Sequence, residues 1–152
     1  MKSHRAIDNS RKVLAGIAAM VAILVLTIGC DKERMCRVPT GNATCQIDPN
    51  SALYPGLNNC DGCEYLVGGY NGIVVIRTSW NDFVAYERSC PLDSAMLDVP
   101  DGYGNMVLEC PRCGSRFSTF TDGTPLEGSR TSCMLYEYNT YYDGRTLYIS
   151  NY

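Results

Sequence analysis

From Ala43 onward the chain is a succession of short runs rich in Val, Ile, Tyr and Thr, each cut off by Gly, Asn, Asp or Pro. The runs are ATCQI, EYLVGG, GIVVIRTS, DFVAYERS, MVLEC, RFSTF, SCMLYEYNT and TLYIS; GGYNG, SWND, TDGTP and YYDGR separate several of them. β-Branched and aromatic side chains suit a pleated, half-buried surface, and turn residues at this spacing leave little length for helices. In LYEYN, Tyr136 and Tyr138 alternate with Glu137 and Asn139, the period of a strand with one buried face. Asp143-Gly144 between two such runs marks a hairpin with a mirror-image turn. No 3.6-residue apolar period follows the N-terminal segment, and no internal repeat is visible. The expectation is an all-β domain over 43–152, a small sandwich or barrel.

The N-terminus has a different character. Lys2, Arg5, Arg11 and Lys12 precede 17 uncharged residues that end at Cys30. A basic start, an apolar stretch and small residues before a cleavage point predict a secretory signal over 1–29. The stretch LTIGC resembles a bacterial lipobox, with Thr27 where Leu is usual, which implies lipidation at Cys30. DKERM then opens a tether over 30–42. The competing arrangement is an uncleaved anchor, but 17 helical residues span only about 26 Å, short of the bilayer core. Both place the domain outside the cytoplasm, on the membrane of a bacterial cell envelope. Acyl chains in plural anchor stably where one alone does not.

Nine cysteines become an even eight once Cys30 carries lipid: Cys36, Cys45, Cys60, Cys63, Cys90, Cys110, Cys113 and Cys133. An exported domain with an even set predicts disulfides, and all eight are candidates. Residues 30–152 hold nine basic and fifteen acidic side chains. That balance argues against nucleic acid as a partner. The eleven tyrosines read as strand residues that pack the ring and wet the hydroxyl.

Three of the cysteines look like a metal site. Cys110 and Cys113 stand in Cys-Pro-Arg-Cys-Gly, and Cys90 lies 19 intervening residues upstream in Cys-Pro-Leu-Asp. Together with the surrounding text, DFVAYERSCP, then ECPRCGSRFSTFTDGTPLEG, then MLYEYNTYYDGRTLYISN, the chain resembles the Rieske iron–sulfur domain over roughly residues 64–152. The most specific piece is Gly114-Ser115-Arg116-Phe117 followed by Gly123-Thr124-Pro125-Leu126-Glu127-Gly128. The resemblance implies an all-β fold with two loops gripping a two-iron, two-sulfur cluster. Cys90 and Cys110 fall on its thiolate positions. The two histidine positions hold Leu92 and Cys113, and the chain's sole histidine, His4, lies in the signal. A Rieske centre needs two imidazoles on one iron, so the conventional cluster is excluded by composition. Catalysis by Ser-His-Asp or Cys-His is excluded with it.

Three arrangements stay open. Cys90, Cys110 and Cys113 bind metal such as zinc with a fourth ligand, Asp93 being nearest in sequence, or hold an all-cysteine iron–sulfur centre with the fourth thiolate from the other cysteines. Alternatively, Cys60 and Cys63 of CDGC join Cys110 and Cys113 of CPRC in a tetrahedral zinc or iron site. In the third, a disulfide from Cys90 to Cys110 or Cys113 ties the former cluster loops, with no metal or other cofactor. Arg112 and Arg116 lie close enough in sequence to depress a thiol pKa, which adds a thiol–disulfide role for Cys110 and Cys113. Asp98 and Asp101 in LDVPDGYGN are too few oxygens for calcium, and GGYNG lacks the lysine of a phosphate loop. The functional expectation is a membrane-anchored, non-catalytic binding or accessory module with disulfide-tied loops, working with another envelope protein. The alternative is an electron carrier with a redox partner.

Overall fold

A computed structural model describes residues 36–102 and 104–151. The expected signal over 1–29, Cys30 and most of the expected tether lie outside the described residues. Chain contacts group Cys36–Tyr152 as one unit.

The domain is all-β. Eight strands are present: β1 (Thr44–Ile47), β2 (Cys63–Leu66), β3 (Ile73–Arg77), β4 (Phe83–Glu87), β5 (Val107–Glu109), β6 (Arg116–Ser118), β7 (Glu137–Tyr142) and β8 (Leu147–Ser150). The only helical pieces among the described residues are 3₁₀ turns at Pro55–Leu57 and Gly104–Met106. None of the described helices is long and apolar enough to cross a membrane. Each of the eight runs picked out in the sequence overlaps one strand. Six strands pair antiparallel in the order β1-β8-β7-β4-β3-β2, and the sheet curls into a half-barrel. β5 and β6 form a separate hairpin-like ribbon.

The uninterrupted run of β3 explains how these two pieces meet. All five of its residues are buried. Ile73 and Val75 face one apolar cluster with Ala85, Phe83, Tyr138, Leu147 and Ile149 inside the curl. Val74 and Ile76 face a second cluster with Tyr86, Leu108, Phe117, Cys90 and Cys110. A strand covered on both faces must be apolar at every position, whereas a half-solvated one alternates. β7 alternates in that way, with Tyr138 buried between exposed Glu137 and Asn139. The second cluster lies under the two cysteine loops and carries them.

β7 and β8 form the hairpin expected at Asp143-Gly144. Asp143 and Thr146 face each other, with the Asp143 N–H donating to the Thr146 carbonyl at 3.2 Å. Gly144, at φ 95°, is therefore the first central residue and Arg145 the second. A positive φ at that position belongs to the mirror-image class of turn, and Asp143 flanks the two central residues. Asp143 accepts the Arg145 and Thr146 N–H groups through Oδ1, an aspartate turn that stabilises the bend from outside.

One buried charge organises the opposite edge of the site. Glu87, fully buried at the end of β4, accepts four hydrogen bonds. They come from the N–H groups of Tyr70 and Asn71, at 2.7 and 2.9 Å, and the hydroxyls of Tyr138 and Ser89, also at 2.7 and 2.9 Å. A carboxylate survives burial only when its lone pairs are satisfied in this way. The loop that supplies those N–H groups turns at Gly69, φ 63°, whose missing side chain leaves room for the Glu87 carboxylate and the Tyr138 hydroxyl.

Candidate metal centre

Two loops of the same construction project side by side. The first leaves β4 as Cys90-Pro91-Leu92-Asp93-Ser94-Ala95 and the second leaves β5 as Cys110-Pro111-Arg112-Cys113-Gly114-Ser115. In each, the first cysteine's N–H donates to the carbonyl five residues on: Cys90 to Ala95 at 2.8 Å, Cys110 to Ser115 at 2.9 Å. In each, the N–H four residues on returns to the cysteine's carbonyl: Ser94 to Cys90 at 2.9 Å, Gly114 to Cys110 at 2.8 Å. The returning residue takes a left-handed conformation in both, Ser94 at φ 57° and Gly114 at φ 72°. This reverses the chain tightly enough to bring residues i and i+3 to one side. The two loops thus share one backbone construction without a visible internal repeat in the sequence. The signal was present as Cys-Pro-x-Asp against Cys-Pro-x-Cys, too short and too substituted to register as a repeat.

Backbone pairing sets the loops against each other. Asp98, just beyond the first loop, bridges to Glu109, just before the second, with N–H to carbonyl distances of 3.1 and 2.8 Å. Leu97 N–H also donates to the Arg88 carbonyl at 2.8 Å, and Arg88 pairs with the Asp98 carboxylate. Across the loops, the Arg112 guanidinium donates to the Asp93 carbonyl at 3.0 Å.

Four donor atoms converge as a result. The sulfurs of Cys90, Cys110 and Cys113 and a carboxylate oxygen of Asp93 all lie within 4.8 Å of one another. Cys90 Sγ and Cys113 Sγ are 3.7 Å apart, and Cys110 Sγ is 3.4 Å from Asp93 Oδ1. For tetrahedral zinc with Zn–S about 2.3 Å and Zn–O about 2.0 Å, the donor tetrahedron has S···S edges of about 3.8 Å and S···O edges of about 3.5 Å. The group could hold one metal ion of that size. Cys90 and Cys110 are fully buried, while Asp93 and Cys113 are partly exposed, so the group opens to solvent on one side.

The electrostatics divide the thiols. Burial pushes the Cys90 and Cys110 thiols up. It is partly opposed by backbone N–H groups aimed at each sulfur, from Leu92 and Asp93 at Cys90 and from Cys113 and Arg112 at Cys110. At Cys113 slight burial is outweighed by the Ser115 hydroxyl and N–H and by the other two thiols, and its pKa is lowered. Asp93 is lowered too: its slight burial is outweighed by the Ala95 N–H, the Cys90 and Cys110 thiols and Arg112. The N–H groups offset only part of the burial at Cys90 and Cys110, so of the three sulfurs Cys113 alone is shifted towards thiolate.

The remaining cysteines go elsewhere. Cys36 and Cys133 are joined by a disulfide with Cα atoms 5.4 Å apart. Cys45, Cys60 and Cys63 are free. Cys60 is exposed, and Cys63 donates to Asn105 Oδ1 at 3.0 Å. Neither enters the four-donor group, so the expected pairing of CDGC with CPRC around one ion is not formed. The CDGC segment instead runs from a turn into β2, held by the Asp61 N–H to Arg77 carbonyl bond, and its register serves that strand. The expected bridge from Cys90 to Cys110 or Cys113 is likewise absent; all three are free thiols.

A Rieske cluster does not fit. At one histidine position, Leu92 packs against the second apolar cluster and offers no donor. A two-iron centre also spreads its ligands over two metals separated by bridging sulfides. Here all four donor atoms lie within 4.8 Å of one another. Comparison with protein-family models, curated proteins and solved structures returned no match for the chain.

Proposed function

We propose that this domain is a metal-binding accessory module of the bacterial cell envelope, with one tetrahedral ion held by Cys90, Asp93, Cys110 and Cys113. The observation that carries the reading is the convergence of four donor atoms within 4.8 Å of one another, with one S···S pair at 3.7 Å and one S···O pair at 3.4 Å, close to the edges of a single tetrahedral site. Zinc is favoured. A set of four protein donors leaves no open position, which is the mark of a structural site. In that role the ion clamps two loops that share no covalent link, and the described residues include no histidine to act as a general base.

The exported, lipid-tethered placement belongs to the same proposal. It rests on the lipobox-like LTIGC at Cys30 and is supported by the Cys36–Cys133 disulfide, since such bonds persist in oxidising compartments. The Rieske resemblance supports descent from a cluster-binding domain whose loops now serve a single ion. Its partner is then another envelope protein.

Metal analysis of protein purified without oxygen tests the site. One zinc per chain, no visible absorption and no acid-labile sulfide is the expected result. Two irons with sulfide and visible bands would replace the reading with an electron carrier. Replacement of Cys30 by Ser is expected to abolish lipid incorporation, and undiminished incorporation would overturn the tether.

A further inference from the structure

The ligand group contains two sulfurs that can also bond to each other. Cys90 and Cys113 come from different loops, and at 3.7 Å their sulfurs need to close by only about 1.7 Å to reach disulfide length. Cys110 is held differently. Its sulfur faces Asp93 and receives the Cys113 N–H at 3.5 Å. Exposure separates the reacting pair, because Cys90 is fully buried whereas Cys113 is reachable from solvent. An external reagent therefore meets Cys113 first, with Cys90 behind it.

We propose that the centre is a redox switch in which oxidation of Cys90 and Cys113 to a disulfide releases the ion. The proposal rests on the single-ion reading above. The oxidant is a disulfide, either of low molecular weight or in a dithiol oxidase. Cys113 thiolate attacks one of its sulfurs, forming a mixed disulfide and expelling the first thiolate. Cys90 thiolate then attacks Cys113 Sγ, forming the Cys90–Cys113 bond and expelling the second. The two electrons leave with the reduced oxidant. Asp93 and Cys110 remain as the only donors, the divalent ion dissociates, and Cys110 takes up a proton. Exchange of this kind is governed by access to the attacking thiolate and by which sulfur is attacked, both of which the two loops define. The metal-bound and disulfide-tied forms of the loops become two states of one site.

The test uses the full chain loaded with zinc, as such and with Cys45, Cys60 and Cys63 replaced by Ser to remove competing thiols. Oxidised glutathione is added, zinc release is followed with a chromogenic chelator, and linkages are mapped by mass spectrometry. One zinc released per Cys90–Cys113 linkage, with rebinding after a dithiol reductant, is the expected result. Asp93→Ala, which keeps both sulfurs, is expected to form the same linkage faster than the zinc-loaded chain. Zinc that stays bound, or leaves with only a Cys110–Cys113 linkage or a glutathione adduct, would overturn the switch and leave the ion site standing. A chain that binds no zinc before oxidant is added would overturn both.

Discussion

Asp93 and Cys113 occupy the same station in two equivalent loops: each follows a Cys-Pro pair by the same interval and precedes a residue in the left-handed conformation. The four candidate donors therefore form two equivalent pairs, and a four-cysteine set lacks only a thiol at Asp93. Asp93→Cys is expected to complete it and tighten zinc binding. Asp93→Ala is expected to weaken binding by about 100-fold or more, since even outer partners of a metal contribute about 10- to 100-fold. Competition with a chelator of known affinity measures both, and equal affinities for the three proteins would remove Asp93 from the set.

The left-handed residues make a matched pair of stability predictions. Gly114 adopts φ 72° without a Cβ, and Ser94 adopts φ 57° with one. Gly114→Ala should cost about 1 kcal/mol, and Ser94→Gly should cost little or stabilise, because the left-handed penalty for a side chain is about 1–2 kcal/mol and offsets glycine's greater unfolded-state freedom. Urea midpoints of the two variants measure the difference, which should favour Ser94→Gly.

The Cys36–Cys133 disulfide closes a span of 97 residues, nearly the whole domain. Constraint of so long a loop in the unfolded chain corresponds to about 2–5 kcal/mol. The double replacement by Ser should therefore lower the urea midpoint substantially while leaving zinc stoichiometry unchanged. Loss of zinc together with the bridge would show that the two features are coupled.

Tyr138 and Glu87 supply the pH dependence. Burial and the Glu87 carboxylate both push the Tyr138 hydroxyl well above its ordinary value of 10.0. A group raised in the folded state contributes stability below its unfolded pKa and loses it as pH rises beyond. Tyr138→Phe should cost about 1.5–3 kcal/mol at neutral pH, the range for a hydrogen bond to a charged group. Above pH 10 the deficit should shrink, because the unfolded tyrosine then ionises while the folded one resists. A deficit that is constant up to pH 11 would contradict this.

Much of the fold was legible because its strands obey a two-residue rhythm and end in turn residues, as Tyr138 between Glu137 and Asn139 shows. β3 was legible as a strand, but its continuous apolar run did not reveal that the ribbon of β5 and β6 covers its second face. Of the site, Cys90, Cys110, Cys113 and the nearest carboxylate Asp93 could be named from spacing and resemblance. Their convergence depends on the Asp98–Glu109 bridge, a long-range pairing with no sequence marker. Cys60 and Cys63 had good metal spacing, yet spacing within a pair says nothing of where the pair lies relative to another. Glu87 was passed over for a related reason. An acid at a strand end reads as solvated until the Tyr70 and Asn71 N–H groups are seen to face it.

X-ray absorption at the metal edge of the zinc-loaded protein tests the central claim most directly, because it counts and identifies the atoms bound to the ion. Three sulfurs at about 2.3 Å and one oxygen at about 2.0 Å are the predicted shell. Four sulfurs, or a shell of nitrogen and oxygen alone, would contradict the assignment of Cys90, Asp93, Cys110 and Cys113 as the ligands.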